Sequence, residues 1–303
     1  MEQNFETCLY NVVDAAKVQK DELMKKHTTF RIGGPADYFI MPSNEKELEE
    51  TIRVCREFSI PIYIVGNGSN LLVGDKGFRG AIIQLYKSMG TFQVEGNQIT
   101  AQAGCSLAQI ANAALDAALT GFEFAAGIPG TLGGAVVMNA GAYGGEMKDV
   151  LETVTVLTRD GDVKTLTKDE LELGYRTSNV LKNEYVVLEG VIALEKGNKE
   201  EIKAKMDEYA LARKTKQPLE YPSAGSTFKR PEGYFAGKLI QDSGLKGFTV
   251  GGAQVSEKHS GFVINKGNAT AADVMELIRQ VTAKVKEDTG VTMEPEVKQI
   301  GEF

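Results

Sequence analysis

Two stretches of this sequence are rich in glycine and nearly free of charge. The first is Gly66-Asn67-Gly68-Ser69-Asn70; the second is Gly127-Ile128-Pro129-Gly130-Thr131-Leu132-Gly133-Gly134, followed closely by Asn139-Ala140-Gly141-Ala142-Tyr143. Successive main-chain N–H groups with no Cβ in the way can surround a pyrophosphate without a cation, and a stiff glycine segment lets backbone approach a flat aromatic ligand. Each stretch also has a plainer reading, a tight turn after a strand for the first and glycine packing between crowded strands for the second. The first is not the dinucleotide fingerprint of a doubly wound sheet. Leu71 stands where the third glycine belongs, and no acidic residue ends a second strand about 20 residues on. Nor is it a nucleoside-triphosphate P-loop.

Further along, Pro222-Ser223-Ala224-Gly225-Ser226-Thr227-Phe228-Lys229-Arg230 places small residues and hydroxyls beside two cations, which suits an anionic ligand. Arg176, in Tyr175-Arg176-Thr177-Ser178, reads equally as a surface ion-pair partner, Glu296 after Pro295 as an edge carboxylate, and Ser226 as a loop hydrogen bond. A serine-histidine hydrolase has little support, since only His259 could approach Ser226 in space. With His27 and His259 the only histidines, a multi-histidine zinc site cannot be assembled, and no metal is expected. Cys8, Cys55 and Cys105 are too far apart for a disulfide framework or a CxxC motif and read as small buried hydrophobes.

Ordered elements must carry these groups. Asn44 and Glu47 cap a helix with Leu48, Ile52 and Cys55 on one face, and 60–65 reads as a buried strand feeding the first glycine segment, with another strand from Ala81. The runs TFQVE and QITAQ flank a hairpin turn at Gly96-Asn97. Ser106 and Gln109 then open a helix with a stripe of Leu107, Ile110, Ala114, Leu115 and Ala118, closed by Gly121. TVTVLT and VKTLT form a second hairpin, followed by a strand over 185–194. The charged segment 198–216 reads as a helix with Ile202, Met206 and Tyr209 inward, leading to a loop where the domain changes. Thr270 and Asp273 start a final helix with Val274, Leu277, Ile278, Val281 and Val285 inward; it stops at Gly290, and VTMEPEVK follows as a strand.

The chain's 303 residues suggest two domains or one with an insertion, and 42% hydrophobic with 25% charged residues is ordinary globular usage. A net charge of -7 has the wrong sign for coating nucleic acid or an anionic membrane, so phosphate would be gripped locally. The N-terminus lacks a signal peptide's basic start and apolar run, and the glycines and Pro129 within 121–145 argue against a membrane span there. With the odd cysteine count, a reducing cytoplasm is expected.

Seven motifs occur together: HTTFRIGGPAD (27–37), GNGSNLLV (66–73), GIPGTLGGAVVMNAGAYGGE (127–146), YRTSN (175–179), PSAGSTFKRP (222–231), GLKG (244–247) and EPEV (294–297). In content and order they closely resemble the UDP-N-acetylenolpyruvoylglucosamine reductase (MurB) family, across nearly the whole chain. The resemblance implies an α+β flavoenzyme of bacterial peptidoglycan precursor synthesis. Its FAD-binding domain would be of the vanillyl-alcohol-oxidase (PCMH) type in two α+β lobes, 1–80 and 81–215, with a C-terminal α+β substrate-binding domain over 216–303. It implies non-covalent FAD held by Gly66, Asn67, Gly68, Ser69, Asn70, Gly127, Ile128, Pro129, Gly130, Thr131, Gly133, Gly134 and Asn139, with Arg31, Gly33 and Gly34 on the same wall. NADPH would reduce the flavin and leave, and UDP-N-acetylglucosamine enolpyruvate would then take a hydride at C3 in the same cleft. Arg176 and Glu296 would polarise the enolpyruvyl carboxylate, Ser226 would protonate C2, and Arg213, Lys216 and Arg230 would bind the UDP diphosphate.

The interval between Arg176 and Lys216 resembles the shorter (type II-like) branch of the family, which lacks an extra substrate-covering loop; that loop's tyrosine is therefore not assigned here. No nucleic acid, membrane insertion or obligate protein partner is implied. The alternative enzyme is a flavin sugar or alcohol oxidase on the same scaffold, which a covalent flavin link through His27, His259 or a cysteine would favour. A non-catalytic sugar-nucleotide sensor is the third reading; loss of Ser226, Arg176 and Glu296 would mark it, and all three are present.

Overall fold

The computed structural model describes residues 4–303. They form two compact units, neither contiguous in sequence. One holds the chain up to Gln19 with Phe39–Asn67 and Ala81–Ala212; the other holds Lys20–Tyr38, Gly68–Gly80 and Arg213–Phe303. Residues 20–38 and 68–80 thus pack with the C-terminal residues.

In the first unit a five-stranded antiparallel sheet has the order Val163–Thr167, Leu151–Leu157, Val186–Ala193, Gln98–Gln102, Phe92–Glu95. Both expected hairpins are present. Glu95 pairs with Gln98 across Gly96, whose φ of 64° is the left-handed turn geometry that glycine adopts without a steric penalty. Leu107–Asp116 starts at a complete capping box between Ser106 and Gln109 and buries Leu107, Ile110 and Ala114. It ends before the expected Gly121: Ala118 turns left-handed at φ 52°, and Leu119–Thr120 pair with Glu195–Lys196. Strand pairing there outcompetes two more residues of helix. Leu115 is consequently only half-buried.

Glu45–Glu57 buries Leu48, Ile52 and Cys55 as read from the sequence. The strand after it covers only Ile62–Val65, is mostly half-buried rather than buried, and pairs in parallel with 81–84. The charged helix Lys199–Lys216 buries Ile202 alone; Met206 and Tyr209 stay half-buried. Tyr209 is instead covered by the ring of Tyr143, stacked at 4.3 Å.

The second unit has a four-stranded antiparallel sheet in the order Ser223–Ser226, Phe262–Asn265, Ala253–Val255, Thr249–Val250. The helix Ala271–Thr289 packs Val274, Leu277, Ile278, Val281 and Val285 into a core with Phe30, Ile32, Leu72, Phe228 and Val263. It opens with the expected Thr270–Asp273 capping box and closes at Gly290, φ 74°. Asp75, far away in sequence, adds a second cap by accepting from the N–H groups of Ala271 and Ala272.

The expected strand over VTMEPEVK is not regular. Only Lys298–Ile300 is a strand, parallel to Leu71–Val73, with one isolated bridge between Phe228 and Pro295. Pro295 has no N–H to continue a ladder.

Candidate active site

Within the first unit the two glycine segments meet. Asn67 Nδ2 donates to the Pro129 carbonyl at 2.7 Å, and a Cβ on Gly66 would lie 2.1 Å from Thr131 Oγ1, so any side chain there would force Thr131 to move. The second segment is pinned from behind: Ile128 N–H bonds Ala125, Leu132 bonds Cys105, Gly133 bonds Ala103, and the Gly130 carbonyl accepts from Leu107. Thr131 is buried and immediately precedes the helix Leu132–Met138, while Gly127, Pro129 and Gly134 are exposed. Among the described residues the N–H groups of Gly66, Asn67, Gly130 and Thr131 have no acceptor. A pinned, side-chain-poor set of free donors fits an anionic dinucleotide such as FAD, because it needs no reorganisation to receive phosphate oxygens.

Asn139 ends that helix in a left-handed conformation, φ 42°, and is buried. Its side chain is committed to the protein: Nδ2 donates to Glu146 and the Gly174 carbonyl, and Oδ1 accepts from the Lys148 N–H. Gly174 in turn starts a tight turn. Its N–H and carbonyl both bond Thr177, lifting Tyr175 and Arg176 to the tip, where Arg176 has φ 55° and its guanidinium lies 5.2 Å from the Tyr175 ring centre. Tyr143, also left-handed, donates its hydroxyl to the Tyr209 carbonyl at 3.2 Å.

In the second unit the rest of the first glycine segment lies against 27–29. A Cβ on Gly68 (φ 61°) would sit 2.2 Å from the His27 carbonyl, and the Gly68 carbonyl accepts from Thr29. The N–H groups of Gly68, Ser69 and Asn70 are likewise without acceptors among the described residues. Arg31 is exposed with φ 54°, Gly33 packs on Val73 and Met24, and Gly34 on Asp75.

Ser226 is exposed, and its hydroxyl has no hydrogen-bond partner among the described residues. The pairing of its strand with Phe262–Asn265 slips between Ser223 and Ser226, where Gly225 takes φ 75°. Such a bulge re-aims the side chain that follows it. The next residue, Thr227, is a hub. Its N–H bonds the Gly261 carbonyl, its hydroxyl accepts from the Val263 N–H at 2.9 Å, and its carbonyl accepts from the Glu296 N–H at 2.8 Å. Ser226 and Glu296, distant in sequence, thus hang from adjacent, cross-linked backbones.

The three expected diphosphate ligands lie at the end of Lys199–Lys216 and just beyond the Ser226 strand. Arg213 and Lys216 occupy the last turn, where the helix dipole favours cations, and Lys216 is exposed. Arg230 lies over the Phe235 ring at 3.9 Å and donates Nε to the Tyr234 carbonyl. His259, considered as a partner for Ser226, accepts from the Gly261 N–H through Nδ1 and packs edge-on against Phe262. Among the described residues no group of His, Cys, Asp and Glu could hold a metal ion.

Comparison with known proteins places this geometry. The profile of an FAD binding domain matches residues 36–167, and that of the UDP-N-acetylenolpyruvoylglucosamine reductase C-terminal domain matches 217–300. The chain is 55% identical to the UDP-N-acetylenolpyruvoylglucosamine reductase of Caldanaerobacter subterraneus subsp. tengcongensis over 97% of both chains, and 54% identical to that of Agathobacter rectalis over the full length of both. The chain belongs to the UDP-N-acetylenolpyruvoylglucosamine reductase family. The crystal structure of the Thermus caldophilus reductase of that family superposes with a TM-score of 0.81 at 38% identity, covering 94% of this chain and 99% of the other. Phl p 4, a grass pollen allergen with glucose dehydrogenase activity, shares the fold alone, with a TM-score of 0.52 at 14% identity over 65% of this chain and 45% of its own.

As a member of the reductase family the protein is an FAD-dependent oxidoreductase of α+β architecture. No helix among the described residues is long and apolar enough to cross a membrane. Sequence reasoning did not reach Thr227, since neither residue type nor local spacing marks a backbone hub.

Proposed function

We propose that this enzyme reduces the enolpyruvyl group of UDP-N-acetylglucosamine enolpyruvate to UDP-N-acetylmuramate with electrons from NADPH, a step of peptidoglycan precursor synthesis in the bacterial cytoplasm. The observation that carries the reading is the exposed Ser226 hydroxyl, without a hydrogen-bond partner among the described residues, on a bulge tied through Thr227 to the backbone of Glu296. FAD held by the two glycine segments would supply the hydride chemistry that links NADPH to C3 of the substrate. The chain's own residues do the rest.

Hydride at C3 leaves a carbanion, or its enolate, at C2, and the Ser226 hydroxyl supplies the proton that completes the reduction. An alcohol is a weak acid, but a carbanion is a strong base, and positioned proton transfer contributes about 100- to 10,000-fold. Arg176 counters the charge growing on the carboxylate, and a protonated Glu296 donates a hydrogen bond to it; one such donor is worth about 100- to 1000-fold. Arg213, Lys216 and Arg230 hold the diphosphate. The N–H groups of 66–70 and 127–134 hold the cofactor, with Arg31 and Asn139 alongside. The lobes 1–80 and 81–215 and the domain 216–303 are the corresponding cofactor and substrate parts.

An anaerobic spectrum tests this directly: NADPH bleaches the flavin, and the enolpyruvyl sugar nucleotide restores its colour. Ser226→Ala slows the substrate-driven recovery at least 100-fold more than it slows bleaching. Equal slowing of both steps would remove Ser226 from the chemistry.

A further inference from the structure

Asn70 ends the first glycine segment. Its main-chain N–H belongs to the free donors described above, but its side chain is engaged elsewhere: Nδ2 donates to the Glu296 carbonyl at 3.3 Å. The Asn70 carbonyl accepts from the Lys298 N–H at 2.9 Å, and from there Leu71–Val73 and Lys298–Ile300 run in parallel register. On its other side Glu296 donates its N–H to Thr227, next to Ser226. The backbone of Glu296 is therefore held at both ends, by the Ser226 strand and by Asn70, and the preceding Pro295 has no N–H with which to add a further tie.

We propose that Asn70 is a positioning residue for Glu296: its carboxamide anchors the backbone from which the carboxyl projects, so the segment bearing the cofactor-facing amides also sets where the acid stands beside Ser226. The inference rests on the role proposed above for Glu296. A misplacement of about 1 Å at a reacting centre can cost about 100-fold, so losing this anchor is expected to cost about tenfold.

The test is a cycle of Asn70→Ala and Glu296→Ala in the FAD-loaded enzyme, read as single-turnover reoxidation by the enolpyruvyl sugar nucleotide. Asn70→Ala slows it about tenfold in the wild-type background and less than about twofold in Glu296→Ala, because an absent side chain cannot be misplaced. The same slowing in both backgrounds, or none in the wild type, overturns the proposal and leaves Asn70 to the cofactor segment alone. A Glu296→Ala enzyme that reoxidises at the wild-type rate is a different failure, that of the acid itself. Independently of turnover, Asn70→Ala should speed amide hydrogen exchange of Glu296 and Lys298; unchanged exchange also overturns the proposal. Should Asn70→Ala not fold, Asn70→Ser, which keeps a short polar side chain but cannot span the gap to Glu296, is read against the same outcomes.

Discussion

Arg176, Ser226 and Glu296 are individually ordinary, and their surroundings distinguish them. Arg176 sits in the left-handed region at the tip of a two-rung turn, a conformation that costs a non-glycine residue about 1–2 kcal/mol and persists where the surroundings enforce it. Ser226 is turned outward by a bulge at a left-handed glycine. The cysteines show the opposite case. Burial pushes the Cys55 thiol up to about 12 and that of Cys105 up to about 11, so neither is a thiolate at neutral pH. Native protein treated with iodoacetamide at pH 8 is therefore expected to carry at most one label, on the half-buried Cys8, by peptide mass spectrometry. Labelling at Cys55 or Cys105 without denaturant would contradict their burial.

The turn of 256–261, beside the Ser226 strand, makes stability depend on pH. Burial lowers the His259 pKa below its ordinary value, so the fold holds the ring neutral while the unfolded chain can protonate it. The unfolded state then binds more protons below its own pKa of about 6.5, and stability falls as pH drops through that value. Two carboxylates behave differently. The Asp273 pKa is lowered, chiefly by the Thr270 N–H, and that of Glu276 is lowered to about 2, chiefly by Arg279; both stay ionised above about pH 5, so their contributions persist there. Thermal midpoints measured from pH 7.5 to 5 should decline, and His259→Asn should flatten that decline; an equal slope in the variant would assign it to another group. Elements were the most legible level of this protein. The capping boxes at Ser106 and Thr270, both hairpins and the inward faces of Glu45–Glu57 and Ala271–Thr289 rest on residues within a few positions of one another. The misses at Ala118, Tyr209 and Pro295 came where a distant strand, a stacked ring or a missing N–H overrode the local preference.

A covalent flavin link would need His27, His259 or a cysteine. His27 Nε2 lies 2.8 Å from Glu22, His259 Nδ1 is taken by the Gly261 N–H, and Cys55 and Cys105 are buried. Acid precipitation is accordingly expected to release all the yellow colour to the supernatant; a coloured pellet would favour the oxidase alternative. Composition argued against a nucleic-acid coat, and the ordered motifs pointed to the family, because both depend only on which residues are present and in what succession. Folding decided the rest. Residues 68–80 joined the C-terminal unit through a parallel pairing with residues more than 200 positions away, and Thr227 became the link between a hydroxyl and a carboxyl. Contacts of that span leave no periodicity or spacing to read, since they are made by backbone groups that every residue carries and are selected only when the cores of the units close.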